Sequence, residues 1–447
     1  MRIAIIGAGF AGLTAGYELK SAGHQVTIYE AAPQAGGLAS GFKAPGWDWS
    51  LERFYHHLFT SDDVIINFTR KVGFGEQLLF TRPVTALVHE GRPYPFDSPP
   101  AVLRYPGLSF IEKLRTGLPT LYLRLRRDWR PFEQVTAHEW LTRTMGRSAY
   151  RKTWEPLLLG KFGDSYQDVP LSWFWARIFK RTPRLGYYEG GFQAFANHLV
   201  RGIERQGGEV HLNTRIHRLR PAGAEWRVTL DWGEELFDRV IATAPPRLME
   251  RLVPDLAPAY LESLRRLKSL GAVVMVVALR QQLTRGFYWI NLDKREFPML
   301  ALVEHTNMID PSHYGGDHLI YLGDYLPADH PYFSYDAGQL FEIYEPALQR
   351  FNPAYRREWV RQQWLFKASY AQPVVPLNYS RHIPPLKTPL AGLYFASMSQ
   401  VYPWDRGTNY AVEIGQNVAA TLLADAGLPT PVAPRQGEAF SVEKIVG

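Results

Sequence analysis

Two periods of hydrophobic spacing alternate along the chain, and each change of period marks an element. Arg2 to Ile6 is a short continuous apolar run, the pattern of a strand buried on both faces of a parallel sheet. Leu13, Ala15, Leu19 and Ala22 then recur at helical spacing, and HQVTIYE, ending at Glu30, predicts a second strand. Between first strand and helix stand Gly7, Gly9 and Gly12 in the order GAGFAG. Strand, glycine turn, helix, strand and acid thus follow in the order of a dinucleotide site, with Glu30 about twenty residues past the glycines.

Each glycine has a physical task. Gly7 permits the tight turn, Gly9 lets backbone N–H groups approach a pyrophosphate at the positive helix end, and Gly12 allows close helix–strand packing. Phe10 and Ala11 lie within the same loop and count with it as cofactor contacts. Glu30 can accept hydrogen bonds from ribose hydroxyls.

Asp62 and Asp63 precede VIINFTRKV as helix-capping candidates. Residues 108 to 180 read as mostly helical. Within them SFIEKLRTGLPTLYLRLRRDW is amphipathic and basic, a surface helix interrupted at Pro119, with contact to a membrane surface as the alternative. Nearby, with Trp154 among them, Lys152, Lys161, Arg177 and Arg181 read singly as exposed solvated charge. The runs GAVVMVVALRQ, FYWINL, MLALVEHTNM and HLIYLGDYL predict an antiparallel sheet flooring a substrate site. Glu304, His305 and Tyr325 end such strands, either reaching a pocket or forming ordinary sheet surface. Residues 207 to 246 read as short alternating strands, and Leu393 to Ser397 as an apolar strand. Ala411, Ile414, Val418 and Leu422 then follow helical spacing, with Thr408 or Asn409 as the cap. Residues 428 to 447 have the proline-rich character of a loosely held tail.

Composition narrows the chemistry. With 447 residues, 46% hydrophobic and 14% aromatic, the chain has ample core for two or three domains. It has no cysteine, which excludes disulfides, thiolate nucleophiles, iron–sulfur clusters and cysteinyl cofactor attachment, and fits the cytoplasmic location we expect. The net charge of +7 contains no long basic run, so nucleic acid is not implied. A solvated arginine-rich surface, a phosphorylated substrate and an anionic membrane surface all suit it. No apolar stretch is long enough to span a bilayer. MRIAIIGAGFAGLTAG superficially resembles a signal peptide, but residue 3 already belongs to a core strand, so no cleavage is expected.

The stretch LERFYHHLFTSDD, residues 51 to 63, places His56 and His57 side by side. Adjacent residues diverge on a strand and on a helix, and no HxxxH or HExxH spacing accompanies them, so no metal site is expected. Either one histidine faces a cofactor or both fill an aromatic core.

After Glu30 the chain continues AAPQAGGLASGF, with Gly36, Gly37 and Leu38 just past the ribose acid. With the glycine turn, this resembles the FAD enzymes that include amine oxidases, phytoene desaturases, protoporphyrinogen oxidases and UDP-galactopyranose mutases. The resemblance returns at residues 207 to 246, at GLYFASMSQVYPWDRGTNYAVEIGQNVAATLLA, and at ERFYHHLFTSDD with HEGRPYPFD, where it is closest to the mutase branch. It implies noncovalent FAD, with Gly36 and Gly37 beside the pyrophosphate and Ile216 at the adenine side. It places His57 beside the flavin ring, Arg406, Asn409 and Tyr410 at its pyrimidine end, and Tyr402 in the substrate pocket.

The fold expected is α/β, a Rossmann-type FAD-binding domain interleaved with an α+β substrate domain of antiparallel sheet and helices. The FAD domain would take 1–75, 205–247 and 385–425, the substrate domain 76–204 and 248–384, and the tail 426–447. The activity implied is FAD-dependent oxidation of a small molecule by hydride transfer, with a nucleotide sugar or an isoprenoid among the substrate classes. The alternative is a sugar-nucleotide isomerase of the galactopyranose mutase type, working through reduced FAD without net redox change. Nothing in the sequence indicates an oligomeric state.

Overall fold

The computed structural model describes residues 1–430, so the expected tail beyond residue 430 lies outside the described residues. At the centre is a parallel sheet whose strands run, edge to edge, Glu209–His211, Gln25–Tyr29, Arg2–Ile6, Arg239–Ala242 and Leu393–Phe395. Ile3, Ala4, Ile5, Val240, Ile241 and Leu393 are fully buried, because helices or strands cover both faces. The helices Phe10–Ser21 and Thr408–Asp425 pack against one another on one face, and Gly415 makes their close approach feasible. A methyl group there would lie 2.5 Å from the Ala11 carbonyl oxygen. Three distant stretches of sequence therefore complete one sheet.

A second sheet of seven strands floors the other half, ordered Val360–Pro373, Ser269–Leu279, His318–Leu326, Ala301–Glu304, Phe287–Asn291, Val84–His89 and Arg92–Pro95. The four apolar runs all form strands, as their pattern predicts. The sheet is mixed rather than antiparallel throughout, because Phe287–Asn291 pairs parallel with Val84–His89. The helix Ala337–Phe351 covers its outer face with Leu340, Phe341, Tyr344 and Leu348. Opposite stands a helical layer: Phe110–Leu125, Ala137–Met145, Arg147–Thr153, Glu155–Phe162 and Leu171–Lys180.

Two local expectations are corrected. Phe110–Leu125 runs unbroken through Pro119, and its start is fixed by a capping box between Ser109 and Glu112. Proline removes one N–H bond, and on a half-exposed face water can take the freed carbonyl. Asp62 occupies the N-cap of Asp63–Lys71 but does not cap it with its side chain; its Oδ2 accepts from Phe59 N at 2.8 Å. Asp63 remains in the first turn, where its charge complements the helix dipole.

Candidate active site

The glycine turn is shaped by close approach. Gly7 has φ 99° and donates to the Tyr29 carbonyl at 2.8 Å. A methyl group at Gly12 would lie 1.9 Å from the Gly7 carbonyl oxygen, so only glycine lets the helix begin against the strand. Gly9 forms a parallel bridge with Gly36, and Gly36 N donates to the Ala8 carbonyl at 2.8 Å. Gly37, with φ 58°, comes so near that a methyl group on it would sit 3.1 Å from Gly9 Cα. The two glycine clusters therefore form one bare cradle around the first turn of Phe10–Ser21, whose opening N–H groups favour an anion.

Glu30 is fixed beside that cradle: its Oε2 accepts from Ala8 N and its Oε1 from Ala32 N, each at 2.8 Å. Its carbonyl takes Thr214 N and its N–H reaches the His211 carbonyl, so the segment leading to buried Ile216 lies alongside. Phe10 turns inward and stacks on Phe195 at 5.5 Å, leaving only its backbone for a ligand. Leu38 is half-buried in the turn Gly37–Ala39. An extended dinucleotide with a pyrophosphate over glycine and a ribose over Glu30 fits these residues.

The segment after Glu52 runs beneath the seven-stranded sheet. Glu52 is fully buried, accepting from Tyr187 Oη at 2.6 Å and from Phe192 N at 2.7 Å, which caps the helix Phe192–Arg205. Burial pushes its carboxyl up to about 7, against the pull of those two bonds. Tyr55 stands edge-on to Trp289 at 4.9 Å over Gly323, where a methyl group would lie 2.7 Å from the Tyr55 ring.

His56 Nδ1 donates to the Phe54 carbonyl at 2.6 Å. His57 Nδ1 lies 3.2 Å from the Tyr288 hydroxyl, and its ring meets Trp289 and Phe59 edge-on. Burial pushes His56 down to about 4 and His57 to about 3, where the Arg181 and Arg177 charges reinforce it. Both are neutral at pH 7, and they point to different partners. Among the described residues no three histidine, aspartate or glutamate side chains gather as metal ligands.

Facing this wall is a buried cluster of cations. Lys161, on Glu155–Phe162, donates to Asp405 Oδ2 at 2.8 Å; Arg177, on Leu171–Lys180, donates to the same oxygen at 3.0 Å. Arg406 donates to Gln372 Oε1 at 3.2 Å and to the Tyr325 hydroxyl, with its guanidinium over the Tyr325 ring. Lys161 Nζ reaches the same Gln372 oxygen at 3.3 Å, so one carboxamide joins Lys161 and Arg406. Burial pushes Lys161 down to about 7; Asp405 opposes this, and Arg177 and Arg406 add to it. Burial resists ionisation of Asp405 too, but the Lys161 and Arg177 charges outweigh it and hold the carboxyl below its usual range. Arg181 and Arg406 are each pushed down to about 10, chiefly by burial.

Arg406 and His57 thus stand in one neighbourhood, joined through Tyr55 and Trp289. Tyr402 does not join them. It is fully buried in the helical layer, its hydroxyl 2.6 Å from Ser172 Oγ and its ring against Trp129 and Tyr379. Asn409 also departs from expectation as a cap: Gly407 holds the N-cap of its own helix, while Asn409 Oδ1 accepts Ile65 N of the neighbouring helix at 3.0 Å. Tyr410 is buried and stacks on Trp404 at 5.8 Å. Lys161 and Arg177, read singly as solvated charge, are instead paired within the protein, whereas Lys152 does lie at the surface, paired with Glu112. Glu304 and His305 serve structure: Glu304 caps residues 283 and 284, and His305 meets the Tyr314 hydroxyl at 2.8 Å. Glu52 and Gln372 escaped the sequence reading. For Lys161 the apolar residues around it in EPLLLGKF were the available signal.

Comparison with known proteins agrees with this geometry. The chain is 24% identical over 291 residues to an L-amino-acid oxidase of Pseudechis australis, covering 59% of this chain and 55% of that protein. It therefore spans little more than half the length of that curated relative. An oxidoreductase structure from Methanosarcina mazei aligns with a TM-score of 0.74 at 18% identity, over 94% of this chain and 99% of the other. A reduced UDP-galactopyranose mutase aligns with a TM-score of 0.74 at 14% identity, over 99% and 97%. Likeness at these identities shows a shared fold. The family described as flavin containing amine oxidoreductase matches residues 10–423, so the chain belongs to that family, whose cofactor is FAD.

Proposed function

We propose that the chain oxidises a small organic substrate carrying an anionic group, by hydride transfer to FAD. Residues 1–75, 205–247 and 385–425 are the segments we assign to the cofactor, and 76–204 with 248–384 to the substrate. The cradle of Gly7, Gly9, Gly12, Gly36 and Gly37 and the fixed carboxylate of Glu30 support the first assignment. In this reading Phe10, Ala11 and Asn409 contribute backbone only, Leu38, Ile216 and Tyr410 lie along the cofactor, and Tyr402, bonded to Ser172, stands apart from it.

One observation carries the reading: Lys161, an amine enclosed by protein beside Asp405 and Arg177, where burial weakens its hold on a proton. Bound FAD supplies the two-electron acceptor. Loss of a hydride from a C–H or N–H bond leaves one proton to remove, and the neutral Lys161 amine takes it. Asp405 then holds the lysinium it forms, and the proton passes on to solvent. Arg177, Arg181 and Arg406, with Lys161, outnumber the two carboxylates that act on them, Asp405 and Asp97, which favours a substrate carboxylate or phosphate. His57, neutral beside Tyr288, orients rather than titrates.

A second reading rests on the same cations. They suit the diphosphate of a nucleotide sugar, and with the likeness to the mutase they favour the sugar-nucleotide isomerase. Turnover separates the two. Oxidised enzyme with an artificial electron-accepting dye is offered amino acids, amines and isoprenoid phosphates, and dithionite-reduced enzyme is offered UDP-galactose. Dye reduction with one of the first panel is expected; conversion of UDP-galactose by the reduced enzyme alone would replace the oxidase reading with the mutase.

A further inference from the structure

The helix Phe110–Leu125 carries an apolar stripe on its outer face. Phe110, Ile111, Leu114, Leu118, Leu121 and Leu125 are between 47% and 72% exposed, an unusual state for six large hydrophobic side chains on one element. Their spacing of one, three, four, three and four residues keeps them on one side of a helix. The opposite side, at Thr116 and Leu123, is buried against the helical layer. Among the described residues, the other large exposed hydrophobics are Leu103 and Tyr122, which border the stripe, and the scattered Trp232, Leu236 and Leu428.

Cations frame the stripe. At about 100° per residue, Lys113 and Arg124 fall along one edge and Arg115 and Arg126 along the other. Arg126 lays its guanidinium 5.0 Å over the Tyr122 ring, keeping its charge beside the apolar face. Between positions 103 and 130 the sequence holds seven lysines and arginines against Glu112 and Asp128, so this one segment supplies much of the net +7. A convex row of leucines edged by long cationic side chains matches the boundary between acyl chains and anionic headgroups. There the leucines enter the acyl region and the guanidinium groups remain at phosphate level.

We propose that this face docks the protein on an anionic phospholipid surface, lying in the interface rather than crossing it. No helix of the described residues is long and apolar enough to cross a membrane. A second copy is the poorer occupant, because pairing two such faces would bring like-charged edges together. The docking face also borders the site. Arg124 donates to the Arg181 carbonyl, and the Arg126 carbonyl takes the indole N–H of Trp175, whose ring packs on Trp404.

The test is vesicle flotation of the full-length FAD-bound protein, with phosphatidylcholine alone and with about one-third phosphatidylglycerol. Wild-type protein is expected to float with the anionic vesicles and to bind at least about tenfold more weakly to neutral vesicles or in high salt. Leu118→Gln with Leu121→Gln, and separately Arg115→Gln with Arg126→Gln, should each weaken binding about tenfold or more while keeping the flavin spectrum and the melting temperature. Failure to float, equal binding to neutral vesicles, or binding unchanged in either double variant would overturn the proposal. So would a solution dimer, seen by light scattering, that the double leucine substitution dissolves.

Discussion

Lys161 Nζ and Asp405 Oδ2 lie 2.8 Å apart although 244 positions separate them in the chain, and both side chains are largely closed to solvent. Arg177 shares the same carboxylate oxygen at 3.0 Å, so the aspartate answers two cations at once while Arg406 stands next to it in sequence. Such a cluster costs desolvation that its own pairing only partly offsets. An enzyme that brings in an anion relieves the excess, and an enzyme that removes a proton uses the weakened lysine.

Lys161→Met should therefore slow substrate-dependent flavin reduction by about 10²–10⁴-fold at neutral pH. If the deprotonated amine is the base, as proposed, the wild-type rate should rise with pH through a midpoint near 7 and level off above it. In Lys161→Met that midpoint should vanish. Single-turnover rates across pH 5.5 to about 9 check both statements.

His57→Asn should lower turnover without moving the midpoint near 7, because burial already keeps His57 neutral well below it. A profile whose midpoint disappears in His57→Asn but survives in Lys161→Met would reverse the two roles. The same rapid-mixing experiment distinguishes them.

Glu30→Ala should weaken FAD by about 10- to 100-fold, the scale of a hydrogen bond to a charged group. Gly12→Ala should do more, since its methyl group would collide with the Gly7 carbonyl and spread the turn itself. Both follow from the fluorescence of released flavin during dialysis. Stripping FAD from the wild type should lower the melting temperature, because bound cofactor adds its binding free energy to the folded state.

Glu52 gives a stability test independent of the reaction. Its folded-state carboxyl titrates near 7, above its ordinary value of 4.5, so the folded protein holds a proton that the unfolded chain has released. Its burial therefore costs nothing below about pH 4.5, and stability falls as pH rises from there to about 7. Glu52→Gln removes that slope. Relative to wild type it should gain roughly 2–3 kcal/mol on going from pH 4.5 to 8, read from denaturant unfolding at the two pH values.

The glycine turn and its flanking strands were legible because their determinants are local. A change of hydrophobic period around Gly7, Gly9 and Gly12, then Glu30 closing the next strand, are all contained in one supersecondary unit. The surroundings of Lys161 and Tyr402 depend on contacts that no local pattern encodes. Lys161 reads as surface charge until the chain returns with Asp405, and Tyr402 reads as a pocket residue until Ser172 and Trp129 enclose it. The strand Val360–Pro373 was not foreseen, since VRQQWLFKASYAQP is half-exposed and mixes polar with aromatic residues. Phe110–Leu125 shows the opposite limit. Its amphipathic pattern was plain, but which side faced the core was decided by the packing of Thr116 and Leu123.

The most direct measurement is the absorbance of the oxidised flavin during anaerobic titration of the purified protein with candidate carboxylate- and phosphate-bearing substrates, followed by UDP-galactose. Hydride transfer to FAD with Lys161 as the base predicts stoichiometric bleaching by one of the former, fast in wild type and slowed in Lys161→Met, with no bleaching by UDP-galactose. An oxidised spectrum that no candidate bleaches, joined to a UDP-galactose response confined to the dithionite-reduced protein, would contradict it.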